Sequence, residues 1–148
     1  MISDTHGLLR DEALAALAGS DLIVHAGDIG SPHVLERLGE IAPTYAVRGN
    51  NDREPWGLAL PLIEVVPAGA HHLYLVHDID DLDLDPAAAG FAAVIYGHTH
   101  KPLAQTRDGV LYLNPGSAGP RRFTLPIAVA RLSVMRSALE SEHVYLTA

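Results

Sequence analysis

The spacing of hydrophobic positions changes character about halfway along this chain. In the first part, "DEALAALA" (Asp11 to Ala18) sets leucines three apart among alanines and stops at Gly19, which predicts a short helix. "DLIVHAGD" reads as a buried strand ending at Gly27. "SPHVLERLGEI" opens with Ser31 as N-cap and Pro32 at the first helical position, and keeps Val34, Leu35 and Leu38 on one side, the pattern of a second helix. "TYAVRGN" follows as a strand. Strand and helix therefore alternate, as in a parallel sheet with crossover helices.

From Leu62 onward short apolar or alternating runs take over: "LIEVV", "HLYLVH", "AAVIYG", "LAQTR", "VLYLNPG", "IAVARLSV" and "EHVYLT". Asp108 and Gly109 in "TRDGVLY" carry the turn signal of a hairpin. No internal repeat or low-complexity linker interrupts the chain, so residues 1–148 are expected to form a single domain. Both halves fit an α/β fold: a four-layer α/β/β/α sandwich of two mixed sheets flanked by helices. A domain of this length buries roughly 68–70% of its unfolded surface, so it needs neither metal nor disulfide to hold its fold.

Composition narrows the chemistry. The chain has no cysteine, which excludes disulfides, thiolate metal sites and a cysteine nucleophile. Ten basic against 18 acidic side chains leave a formal charge of −8, a sign that repels a phosphate backbone and argues against nucleic acid as a partner. No apolar run reaches the roughly 18 residues of a membrane span and no signal peptide is evident, so a soluble, cytoplasmic protein with no membrane partner is expected. The acidic run "DIDDLDLD" (Asp78, Asp80, Asp81, Asp83, Asp85) reads as a solvated loop; it lacks the central glycine and terminal glutamate of a calcium-binding EF-hand loop.

The residues that end the apolar runs are more informative. "SDTHG" follows "MI", "HAGD" follows "LIV", "RGNND" follows "YAV", "HD" follows "LYLV", "GHTH" follows "AVIY", and "NPGS" follows "VLYL". In open α/β sheets ligands bind outside the carboxyl ends of strands, so six polar turns can share one rim. The metal-capable residues among them are Asp4, His6, Asp28, Asn50, His77, His98 and His100. Seven oxygen and nitrogen donors exceed one tetrahedral zinc but suit two cations about 3.5–4 Å apart. Two divalent cations, two aspartates and a shared hydroxide leave a net positive site, which attracts an anion such as a phosphate ester.

In this order the motifs Asp-x-His, Gly-Asp, Gly-Asn-x-Asp, histidine, Gly-His-Thr-His and Asn-Pro-Gly-Ser resemble those of the calcineurin-like metallophosphoesterases. The resemblance runs from Ser3 to Ser117. It is to the small bacterial and archaeal phosphodiesterases, which share their fold with the retromer scaffold subunit. It implies that Asp4, His6, Asp28 and His100 hold one metal and that Asp28, Asn50, His77 and His98 hold the other, with Asp28 bridging. It also implies hydrolysis of a small-molecule phosphoester by a metal-bridging hydroxide. His98 and Asp52 are then the catalytic candidates, Asn51 and Ser117 the substrate-binding ones. Two divalent ions are implied as cofactors; mixed carboxylate, amide and imidazole ligation points to manganese, with iron or zinc as alternatives. A non-catalytic protein-binding scaffold of the same fold is the rival reading, and the intact donor set favours the enzyme. A nuclease is disfavoured by the acidic balance, and a homo-oligomer is left open.

Three departures from the resemblance matter. Asn51 stands where many relatives carry a histidine thought to protonate the leaving group, and an asparagine is no acid at neutral pH. Asp52 is left to orient Asn50 or a neighbouring histidine. The chain reads "HDI" at His77 to Ile79 where relatives often read His-Gly-His. Only three residues precede Asp4, against about 5–6 in an ordinary strand, as in a clipped or mis-assigned start. Elsewhere, His25 reads as a hydrogen-bonded core histidine, Trp56 as packing, and His33, His71, His72 and His143 as surface residues.

Overall fold

The computed structural model describes residues 1–146. The first half forms α1 (Asp11–Leu17), β1 (Ile23–His25), α2 (Pro32–Gly39) and β2 (Thr44–Ala46), with β1 and β2 parallel. Ser31 caps α2 by accepting from the His33 N–H, and Pro32 opens the helix, as the sequence pattern predicts. A four-residue helix, α3 (Pro55–Leu58), follows. The second half is strands: β3 (Ile63–Ala68), β4 (His71–Val76), β5 (Ala93–Ile95), β6 (Leu103–Arg107), β7 (Val110–Asn114), β8 (Ala128–Val134) and β9 (Leu139–Tyr145). The β6–β7 hairpin turns at Asp108 and Gly109, both at positive φ.

The ladders number three rather than two. A mixed sheet has the order β3-β4-β5-β7-β6, β1 pairs with β2, and β8 pairs with β9. Met1 ties the β8–β9 hairpin to the first part of the chain by exchanging two 2.9 Å hydrogen bonds with Ala130, while Ile2 bridges to His25. One core, including Val24, Val47, Leu75, Ile95 and Leu113, joins the first ladder to the five-stranded sheet. A second, including Leu17, Ile23, Leu38 and Val129, seats α1 and α2.

Helices flank only one side among the described residues. The far face of the five-stranded sheet buries Tyr74, Val76, Val94 and Tyr96 beneath Ile79, Leu82 and Phe91. The cover there is a single 3-10 turn (Ile79–Asp81) and irregular chain, because the aspartate-rich connection from β4 to β5 lacks helical periodicity. The fold is thus a mixed α/β arrangement. No helix among the described residues is long and apolar enough to cross a membrane.

Candidate metal centre

Strands β4, β5 and β7 run parallel, as do β1 and β2, so each set releases its carboxyl-terminal turns toward one rim. The Asp4 loop lies directly on the Asp28 loop: the Asp4 N–H donates to Gly27 O at 3.0 Å and the His6 N–H to Asp28 O at 3.0 Å. Backbone geometry marks the same residues. Asp4, His6, Asp28, His98 and His100 all sit at positive φ, between 47° and 72°, a region that costs a non-glycine residue on the order of 1–3 kcal/mol. The only other described non-glycine residues there are Asp108 and Phe123. Five of the seven expected donors are held in strained backbone.

The side chains converge. Asp4 Oδ1 lies 3.4 Å from His100 Nε2 and 4.0 Å from the Nε2 atoms of both His6 and His77. Asp28 Oδ2 lies 3.4 Å from His77 Nε2 and 3.8 Å from His6 Nε2. Asn50 Oδ1 faces His77 Nε2 at 3.0 Å and His98 Nδ1 at 3.2 Å. Two tight clusters emerge, Asp4 with His6 and His100, and Asp4 with Asp28 and His77. Asp4 is common to both, where the resemblance implies sharing by Asp28; the Asp28 carboxylate nonetheless reaches histidines from each cluster. His98 stands at the outer edge, its side chain 43% exposed and its Nε2 3.6 Å from Asp78 Oδ2.

The donor set suits a cation. Ala26 O can only accept, so His77 donates to it through Nδ1 at 2.7 Å, and the neutral imidazole then presents a lone pair at Nε2. That lone pair faces Asn50 Oδ1 and Asp28 Oδ2, both acceptors. Asp4 Oδ1 and His6 Nε2 are buried without any hydrogen-bond partner. Lone pairs crowded together and left unsatisfied carry a cost that a metal removes. The charges agree. Burial pushes the Asp4 carboxyl up, but contacts from His100, Ser3 and His77 outweigh it and keep it below the ordinary carboxylate range. Burial acts likewise on Asp28 and is overcome by His77 and Asn51. On His77 burial disfavours the cation, yet Asp28 and Asp4 raise its pKa above the ordinary value, so the same acceptors that suit a metal draw a proton to Nε2 where no metal is bound.

Neighbouring residues fix these donors. Ser3 Oγ donates to Asp4 Oδ2 at 2.6 Å and the His98 N–H to the same oxygen at 3.1 Å, which leaves Oδ1 turned to the cluster. Asn114 donates its amide to Gly97 O at 3.1 Å and Thr99 Oγ1 at 3.0 Å, so the Asn-Pro-Gly-Ser turn braces the Gly-His-Thr-His turn. A Cβ at Gly97 would meet Ser3 Oγ and lie 2.6 Å from Asp4 Oδ2; one at Gly49 would collide with the Asp28 backbone and carboxylate. His25 is fully buried: Nδ1 accepts from the Gly27 N–H at 3.1 Å, so Nε2 donates to Thr5 Oγ1 at 3.0 Å, and Thr5 donates to Ile29 O at 2.8 Å. Ser3, Asn114 and Asp78 escape a reading of motif ends, although each stands beside or inside a motif.

Two expected site residues are spent on backbone, and a third braces a donor. Asp52, 2% exposed, accepts from the backbone N–H groups of Ile29, Gly30 and Gly49, so it holds the Asp28 and Asn50 loops rather than reaching a reacting group. Ser117 donates to Asp4 O at 3.0 Å from a buried position and is turned away from the donor cluster. Asn51 is exposed, but its amide donates to Asp28 Oδ2. His33 and His72 are exposed, whereas His71 and His143 are half-buried against the carbonyls of Met135 and Asn114. Trp56 packs, half-buried, against the second core and bonds Glu54.

Known proteins resemble this chain in sequence and fold. The profile of the calcineurin-like phosphoesterase superfamily domain matches residues 1–137. A protein of Methanothermobacter thermautotrophicus named "Probable metallophosphoesterase" is 31% identical over 154 residues, covering 96% of this chain and 88% of its own. Phosphodiesterase YfcE of Escherichia coli strain K12 is 32% identical over 139 residues, covering 78% and 76%. Vps29 from Entamoeba histolytica, at 21% identity, superposes with a TM-score of 0.72 over 99% of this chain and 97% of its own, a likeness of fold. The chain belongs to the calcineurin-like phosphoesterase superfamily.

Proposed function

We propose that the chain is a phosphodiesterase that works with two divalent cations and hydrolyses a small-molecule phosphoester. Asp4, His6, Asp28 and His100 would hold one cation, and Asp28, Asn50, His77 and His98 the other. The observation that carries this reading is the set of unpartnered acceptors, Asp4 Oδ1 and His6 Nε2 above all, turned toward one another from strained backbone. Manganese, iron and zinc all suit such mixed ligation. When bound, the cations supply polarisation of the phosphoryl oxygens and hydroxide near neutral pH.

The chain's own residues prepare the rest. Ser3 and the His98 N–H occupy one oxygen of Asp4 so that the other faces the cluster. Asn51 orients Asp28 through both of its oxygens. His98 presents its Nε2 at the exposed edge beside Asp78, the position from which a proton can reach a departing alkoxide. Asp52 positions two donor loops and does not itself exchange protons with substrate. The scaffold alternative rests on likeness to Vps29 in fold, and the complete donor set weighs against it.

The test is a metal-analysed preparation assayed against phosphomonoesters, phosphodiesters and cyclic phosphoesters. Two metal equivalents per chain and turnover of a bis-nitrophenyl phosphate with manganese are expected. Stoichiometric metal uptake without turnover of any phosphoester would favour the scaffold.

A further inference from the structure

Beside Asn50 and His77 the surface opens into a cleft of about 270 Å³. It is just below the roughly 300 Å³ at which small-molecule pockets begin, a size for one substituent of a ligand rather than a whole one. Much of the lining is charged. Arg48 and Arg53 are each tied to backbone, with Arg48 Nη1 donating to Leu58 O at 3.4 Å and Arg53 Nε to Asn50 O at 3.0 Å. Asp78 and Asp81 belong to the same lining, Asp78 pinned by the Asp80 N–H at 3.0 Å. Two cations and two anions cancel, and the remaining acid of the lining, Asp52, is turned to backbone amides.

What the cleft offers beyond that balance is apolar. Leu58 and Leu62 line it while 55% and 58% exposed, large aliphatic side chains left open to water next to polar donors. A second phosphate would meet Asp78 and Asp81, and a cation would meet Arg48 and Arg53. A neutral, apolar group meets neither repulsion and covers both leucines.

From this lining we infer that the cleft seats one ester arm of the phosphodiester, and that the substrate class is a diester bearing a neutral aryl or comparably compact apolar substituent. The inference rests on the phosphodiesterase reading, because continuity of the cleft with Asn50 and His77 places the arm next to a phosphate held at the donor cluster.

The experiment separates the two claims by measuring binding apart from turnover. Manganese-loaded protein is titrated calorimetrically with methyl phenyl phosphate and with dimethyl phosphate, two slowly cleaved diesters of equal charge. Wild type should bind the phenyl diester roughly tenfold more tightly. In the Leu58→Ser/Leu62→Ser variant, at exposed positions that the fold does not need, the preference should fall to about twofold. A preference absent in wild type, or unchanged in the variant, overturns the inference. Hydrolysis of a bis-nitrophenyl phosphate is followed separately: leucine-dependent binding without any hydrolysis would sink the phosphodiesterase reading and leave the apolar subsite standing.

Discussion

Asn51 gives Asp28 two hydrogen bonds, from its backbone N–H to Oδ1 at 2.9 Å and from its side-chain amide to Oδ2 at 3.0 Å. The residue that replaces the histidine of many relatives is thus a clamp on a carboxylate of the donor cluster. Asn51→Ala should lower metal affinity or turnover by about 10–100-fold, as loss of a ligand-orienting partner typically does. Asp28→Asn should cost more, because it removes the charge itself. Metal titration and turnover at matched metal content check the ordering, and equal losses would contradict it.

Asp52 serves the fold through three backbone donors. Removing its carboxylate strands the buried N–H groups of Ile29 and Gly49 and the part-buried one of Gly30. Asp52→Ala should therefore lower stability by roughly 3 kcal/mol or more, read as the urea midpoint of the metal-free protein. A loss of turnover with an unchanged midpoint would return Asp52 to a catalytic role.

Acid should expose His25. Burial drives its pKa from 6.5 down to about 3, so the folded protein refuses a proton that the unfolded chain accepts. Its contribution is complete above pH 6.5 and is lost progressively as pH falls toward 3. His77, raised in the metal-free protein, acts with opposite sign, and the depressed Asp4 and Asp28 lose their contributions only below about pH 3.8. Comparing His25→Gln with wild type between pH 7 and 4.5 isolates the effect. The variant should start less stable and decline less steeply; parallel curves would refute the assignment.

Metal should relieve the crowding of the donors. Manganese at a hundred times its dissociation constant should raise unfolding free energy by about 2.7 kcal/mol per site, and a chelator should reverse the gain. Gly97→Ala, which drives a methyl group against Ser3 and Asp4, should abolish the increment in calorimetric melting. An intact increment in that variant would mean that Asp4 is not a ligand.

Strand ends were legible where helical and alternating periods met polar turns, which is why α1, α2 and the β6–β7 hairpin fall where the spacing puts them. Helix α3 is too short, at four residues, to leave a period. The helix-free face of the five-stranded sheet was hidden for a related reason: an aspartate run reveals solvation but not that Leu82 and Phe91 fold back over it. At the site, residue type identified candidate donors but not their direction. Asp52 and Ser117 carry chemistry-capable groups, and only the fold reveals that both are spent on backbone.

The hydrogen bond from Ser117 to Asp4 spans 113 residues of sequence. Ala118 likewise reaches back to Ser3, and Ala130 to Met1. During synthesis the first loop of the centre meets the Asp28 loop early, yet its brace from Ser117 comes only after 113 further residues. A ribosome-bound fragment ending at His100 would carry every donor and lack the backbone braces that Ser117 and Ala118 give the Asp4 loop. Such long-range closure is slow and comes late in folding, so metal capture should mark the completion of the domain rather than nucleate it.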